Sequence, residues 1–316
     1  MAVTLIAIPK PFLGHTALIQ RNAIKSWSLL DPKPEIILFG DDEGILEICA
    51  QFQIKHEPVI ALNQFGTPLL NDIFDRTQKT AKNEVVCYVN ADIVLMNDFM
   101  DAIENVATHF SRFLMVGQRW DADITDRIDF CQDWQENFIK AVRTTGSLHK
   151  ETGIDYFVYS GDVFSNTPPF AIGRTTWDNW LIYHARSKKI PVIDATESVL
   201  AIHQNHDYTH HPQGAKGVWK GHEAVRNRAL ASEMPDLFTL RDATHILKKT
   251  RIKRAWDQWH FRRWVDTAGL FYPMLAIPLR IVAAALDISH PLRVRLGATL
   301  STTGGHDRFW RDRTSR

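Results

Sequence analysis

Through its first 120 residues the sequence alternates short β-branched runs with longer stretches of helical periodicity, and this alternation restricts the fold more than any other feature. The strand candidates are Thr4–Ile8, Glu35–Phe39, Lys55–Ile60, Val85–Val89 and Phe113–Gly117. Between them, Ala17–Leu30, Glu43–Phe52, Leu69–Ala81 and Asp98–Phe110 carry apolar residues at three- and four-residue spacing, which is the pattern of helices with one buried face. Pro32 and Pro34 end the first helix. Such an order predicts βαβ units on a largely parallel sheet, an α/β fold of Rossmann type flanked by helices. Ligands of these sheets sit at the carboxyl ends of the strands, so the order also predicts a nucleotide-binding half.

The remaining sequence divides in two. Residues 121–245 are less regular, with a helix expected from Asp178 to Ser187 and strands at Pro191–Asp194 and Val199–His203, and they read as a substrate-shaping half on the same sheet. Residues 246–316 change in charge: they hold 14 Lys/Arg against 5 Asp/Glu, a balance of +9, while the rest of the chain stands at −8. An acidic body with a basic tail argues against a nucleic-acid-binding core and puts any anionic partner at the C-terminal end. Three scattered cysteines, Cys49, Cys87 and Cys131, suggest neither a disulfide framework nor a zinc knuckle and fit a reducing compartment. The N-terminal run reads as a first strand and not as a signal peptide, so a cytoplasmic location is expected.

Polar or small residues occupy the expected strand ends: Pro9-Lys10-Pro11 after the first, Gly40-Asp41-Asp42 after the second, Asn63 and Phe65-Gly66-Thr67-Pro68 leading to Asn71 after the third, and Asn90-Ala91-Asp92 after the fourth. A carboxylate beside a diphosphate would be repelled unless a hard cation lay between them, and Asp92 is placed for that. The layout resembles the GT-A glycosyltransferases over about residues 3 to 210, with Asn90-Ala91-Asp92 as an Asn-x-Asp variant of their Asp-x-Asp motif. The resemblance implies that Asp92 binds Mn²⁺ or Mg²⁺ and that Asn90 bonds the ribose or a metal-bound water. It places Asp41 or Asp42 on the base, with Pro9 and Asn71 facing the same nucleotide pocket. The departure is Asn90, where the family has its first carboxylate.

Two further groups follow from the same resemblance. In Arg174-Thr175-Thr176-Trp177-Asp178-Asn179-Trp180, Asp178 stands at the start of an acceptor-side helix, where a carboxylate would act as general base on the attacking hydroxyl. Trp177 or Trp180 would stack on a sugar and Arg174 would face the leaving diphosphate; equally, Asp178 suits an N-cap with both tryptophans in the core. In the run from His203 to His211, His203 or His206 would complete the metal shell. Asp155 would contact the donor sugar, with Asp121 and Asp123 as secondary candidates.

The expected activity is transfer of a sugar, with a UDP-sugar as donor, to a hydroxyl of a glycan or lipid-linked acceptor. A sugar nucleotidyltransferase shares the fold but opens with a Gly-rich loop where this chain has Pro9-Lys10-Pro11-Phe12-Leu13-Gly14; a dehydrogenase would need G-x-G-x-x-G. A catalytically inactive, membrane-associated scaffold is the non-enzymatic alternative. The tail, with Trp256, Trp259, Phe261 and Trp264 among its basic residues and a short apolar stretch at Ala268–Leu279, is expected to be helical and amphipathic and to lie on an anionic membrane surface.

Overall fold

The apolar run near the N-terminus forms β1 (Thr4–Ala7), every residue of which is buried. The later strands are β2 (Glu35–Phe39), β3 (Lys55–Glu57), β4 (Val85–Val89), β5 (Ile93–Val94), β6 (Leu114–Val116), β7 (Arg119–Ala122), β8 (Ser147–Leu148), β9 (Tyr156–Ser160), β10 (Val192–Asp194), β11 (Ala201–Gln204), β12 (His245–Lys248) and β13 (Arg251–Arg254). This computed structural model describes residues 1–206, 214–234 and 236–288. Asp207 to His211 of the expected histidine run, and residues 289–316 of the basic tail, lie outside the described residues.

Nine strands form one sheet in the order β13-β12-β10-β6-β9-β4-β1-β2-β3, and a second sheet runs β5-β11-β7-β8. In the large sheet β9 opposes both its neighbours and β13 opposes β12, while the other pairs are parallel. The central strands are buried on both faces, since successive side chains point to opposite sides and helices cover each. Leu5 and Ala7 join Leu38, Cys87 and Val89 in one core cluster. Ile6 joins Ile37, Phe39, Val86 and Tyr88 in the other. Helices Gly14–Ser28, Ile45–Phe52, Leu70–Thr80 and Asn97–His109 cover these faces, each close to its expected bounds.

Two regions differ from expectation. Tyr156–Ser160 lies in a segment read as irregular, yet it is β9, fully buried between β4 and β6. It enters from the small sheet instead of from a crossover helix, so a reading tuned to βαβ units passes over it. The boundary expected at His245 falls inside β12, and the first ten residues of the supposed helical tail close the sheet edge as the β12–β13 hairpin. The turn is made at Lys249, with φ 55°. Helix Gln258–Phe271 follows, capped by Asp257, whose carboxylate accepts from Trp259 N and His260 N. This helix is docked on the body: Arg263 Nε donates to the buried Asp242 at 2.7 Å, and Phe271 packs on Phe238 and Tyr183. Among the described residues no helix is long and apolar enough to cross a membrane.

Candidate active site

The small sheet assembles the centre of the site through its register. β11 runs between β5 and β7, so His203 lies opposite Ile93 on one side and Asp121 on the other. Asp92 immediately precedes β5, and its carbonyl accepts from the fully buried Gln204 Nε2 at 2.9 Å. Gln204 also donates to Ile19 O and accepts from Asn22, which ties the Asp92 turn to helix Gly14–Ser28. His206 Nε2 then comes to 3.1 Å and His203 Nε2 to 3.9 Å from Asp92 Oδ2. One ligand atom from each of Asp92, His203 and His206 falls within 4.8 Å of the others.

The residues present suit a divalent cation. Asp92 Oδ1 is buried and has no hydrogen-bond partner among the described residues, which is costly for a carboxylate unless something positive meets it. Burial pushes the Asp92 carboxyl up, but the His206 hydrogen bond and the charges of His203 and Lys10 outweigh it and hold the group well below the usual carboxylate range. His203 balances in the opposite sense: burial pushes it down, while the bond to Asp121 and the charge of Asp92 leave it above its ordinary value. Asp121 Oδ1 lies 3.3 Å from His203 Nδ1, which leaves Nε2 turned toward Asp92. A carboxylate behind a histidine in this way fixes the ring and its tautomer for metal binding.

Asn90 has a clear physical reason for not being an aspartate. Its Nδ2 donates to Asp155 Oδ1 at 2.6 Å, and its backbone N–H donates to Asp155 O at 2.9 Å. A second carboxylate there would face that of Asp155 at contact distance, whereas an amide bonds it. The other Asp155 oxygen accepts from Arg119 Nη1 at 2.7 Å, and Arg119 Nε reaches Asp121 at 2.9 Å. Asp155 is 6% exposed with both oxygens engaged. It thus braces the Asn90 turn and Arg119, partners that the expected donor-sugar contact does not include.

The ends of β1 and β2 meet on the same side of the large sheet. Pro9 is buried, and Gln20 clamps Lys10 through both its backbone groups. Phe12 N donates to Glu43 O at 2.8 Å, and the ring lies so close to Gly44 that an added Cβ would stand 2.7 Å from Phe12 Cβ. Gly44, at φ 88°, is required on both counts. Asp41 and Asp42 are exposed between these loops, and partial burial together with the Asp41 charge raises the Asp42 carboxyl. Asn71 lies in the first turn of helix Leu70–Thr80, its Oδ1 buried and without a partner among the described residues.

Around residues 174–180 the picture is mixed. Arg174 is bound to Glu223 at 2.7 Å, and Glu223 also accepts from Asn63. The arginine therefore closes a bridge between the Asn63–Thr67 turn and helix His222–Leu230, a partner absent from the expectation that it faces a diphosphate. Trp177 and Trp180 are 5% and 4% exposed and belong to the core. Trp177 packs edge-on against Tyr88, and Trp180 stacks on His184. Stacking on a sugar is thereby corrected for both: the helix buries the face that carries its tryptophans, and the core alternative is the one observed. Asp178, the second residue of helix Trp177–Ser187, is only partly buried. Thr176 before it has φ 91° and a fully buried side chain, a strained position for a β-branched residue that the surrounding packing must hold.

Lys10, Arg119, Gln204 and Glu223 are not singled out by the sequence, yet each lies against one of its candidate residues. Lys10 and Gln204 lie within the Pro9–Pro11 and His203–His211 runs; Arg119 meets Asp121 and Asp155 from β7, and Glu223 meets Asn63 and Arg174 from helix His222–Leu230.

No protein-family model matches the sequence, and no curated protein does. Among solved structures the chain is similar to S. aureus TarS in complex with UDP-GlcNAc, at 12% identity and a TM-score of 0.42, over 65% of this chain and 60% of that one. A further S. aureus TarS structure matches at 9% identity and a TM-score of 0.47, over 93% of this chain and 46% of that one. Glucosyl-3-phosphoglycerate synthase from Mycobacterium tuberculosis, in complex with Mn²⁺, UDP and phosphoglyceric acid, matches at 14% identity and a TM-score of 0.38, over 65% and 71% of the two chains. The chain thus spans about 60% or less of the two TarS structures. The chain's own architecture is a mostly parallel sheet flanked by helices, the α/β class expected from the sequence.

Proposed function

We propose that the chain is a metal-dependent glycosyltransferase that moves a sugar from a UDP-sugar to an acceptor hydroxyl. The observation that carries this reading is the Asp92–His203–His206 cluster beside the carboxyl ends of β1, β2 and β4, where an α/β sheet binds its ligands. Asp92, His203 and His206 would hold the cation, which when bound would supply the positive charge that stabilises a leaving diphosphate. Lys10 adds a fixed cation near Asp92. Asp41 or Asp42 would accept from the base, and Asn71 has a buried oxygen to offer the same nucleotide. Asp178 would take the proton of the attacking hydroxyl, its direction set by the strained turn at Thr176. A glycan or lipid-linked acceptor, met at the cytoplasmic face of an anionic membrane, fits the basic C-terminal segment.

The donor atoms discriminate between the two metals. Mg²⁺ favours oxygen ligands in strict octahedral geometry, whereas imidazole nitrogens are better tolerated by Mn²⁺. Calorimetry with UDP is therefore expected to show binding in Mn²⁺ that weakens about tenfold or more in Mg²⁺. UDP binding that ignores the metal would overturn the site, and equal support by both ions would remove the histidines from it. A donor screen with the product anomer read by NMR then identifies the sugar and the stereochemical outcome.

A further inference from the structure

A second polar cavity lies far from the Asp92 cluster in the topology, beside the amino ends of β10 and β12. It has a volume of about 140 Å³ and is lined by Arg186, Arg241, Arg254 and Arg263 together with aromatic residues that include Trp256 and Tyr272. Four guanidinium groups converge there, and the acids are few. Asp242 and Asp236 are both taken by Arg263. Arg186 instead donates to the backbone oxygen of Asp242 and lies over the Phe271 ring. Arg241 lies over Trp259, and its Nε is buried with no partner among the described residues. No carboxylate pairs with Arg186, Arg241 or Arg254 among the described residues. His260, 5% exposed and also in the lining, has an Nε2 that is buried and without a partner there. Guanidinium groups stay protonated at any physiological pH, so this excess charge cannot be shed by titration; a multivalent anion would neutralise it.

The cavity borders an apolar surface that no other described residue covers. Tyr272, at its rim, leads into Met274, Ile277 and Ile281, which are 94%, 74% and 68% exposed. We propose that this cavity binds a phosphoryl group, held by Arg241 and Arg254 with Arg186 behind them, while the apolar helix beside it lies against the group's hydrophobic remainder. The inference does not depend on the catalytic reading, because none of these residues belongs to the Asp92 site. Forked guanidinium donors match phosphate oxygens in pairs, and aromatic walls exclude water from them.

The strand pattern supplies the control for a test. Along β13, Ile252 packs toward the core and Arg254 shares its face, whereas Arg251 and Lys253 point the other way. The full chain is titrated with vesicles of phosphatidylglycerol in phosphatidylcholine and, separately, with glycerol phosphate in solution. Arg241→Gln with Arg254→Gln is expected to weaken binding at least tenfold, and Arg251→Gln with Lys253→Gln to change it less than twofold. The exposed single variant Arg254→Glu reports the same loss without touching the packed Arg241. UDP binding in Mn²⁺ stays unchanged in all of them if they are folded. Binding to vesicles alone assigns the site to a lipid headgroup; binding of glycerol phosphate in solution as well assigns it to phosphate esters in general. Absence of binding to either, or equal losses in the two double variants, would overturn the proposal, the latter by reducing it to diffuse charge attraction.

Discussion

Asp92→Ala is expected to lower metal-dependent UDP-sugar turnover by about 10³-fold or more while leaving the chain folded, because the side chain serves the ligand and the backbone serves the fold. The turn is held by the Asp92 carbonyl, which Gln204 grips, and by Asn90, which Asp155 grips; neither contact needs the Asp92 carboxylate. That carboxylate is buried with one oxygen unmet, so its removal relieves a desolvation cost even as His203 and His206 lose a partner. The change in stability should stay within about 1 kcal/mol of wild type, as read from a urea transition. Manganese affinity, measured by calorimetry or by loss of the free-ion electron-spin signal, should fall with the turnover. Normal affinity in the variant would show that the cluster is a structural ion-pair network and would remove the basis of the functional proposal.

How far this site was legible depends on which physical signal each residue carried. Asp92, Asn90, Asp41 and Asp42 follow strands whose β-branched runs are unambiguous, and chain order alone puts them at one end of the sheet. His203 was found because it ends an apolar run, and His206 because it follows three residues later. Arg119 and Asp155 meet only because β7 of the small sheet runs beside the start of β9, which pairs with β4, and nothing local to either residue announces their ion pair. Trp177 and Trp180 show the opposite limit: an aromatic residue beside a catalytic candidate suits a sugar platform and a core equally, and only burial separates the two. The tail does carry helices, Gln258–Phe271 and Ala276–Ile288, but the hairpin before them is not legible, because basic residues in β12 and β13 hide the alternation that marks it, a normal composition for a strand exposed at a sheet margin.

Asp178→Asn should lower kcat by about 10²- to 10⁴-fold and leave UDP affinity within twofold, the signature of a group that acts on the acceptor proton and not on the nucleotide. Asparagine keeps the size and polarity of the side chain, so the substitution isolates the charge and the proton-accepting oxygen. Loss of a negative charge in the first helical turn costs about 0.3–1 kcal/mol, which the docked helix can absorb. Single-turnover and steady-state rates with a fixed donor separate the outcomes. A collapse of UDP affinity would move Asp178 to the donor side, and a kcat near wild type would leave it as a helix-terminal residue with no part in the chemistry.

β9 has a consequence for where this protein can be divided. The strand fills the slot between β4 and β6, so two strands from the first 120 residues are joined only through residues 156–160. A fragment ending at residue 120 would contain β1 to β4 and β6 but expose two facing, fully apolar interior edges with nothing to bridge them, a template for association between chains. The two halves expected from the sequence, residues 1–120 and 121–245, are therefore not separate units of folding, and their separation in sequence does not survive in the sheet.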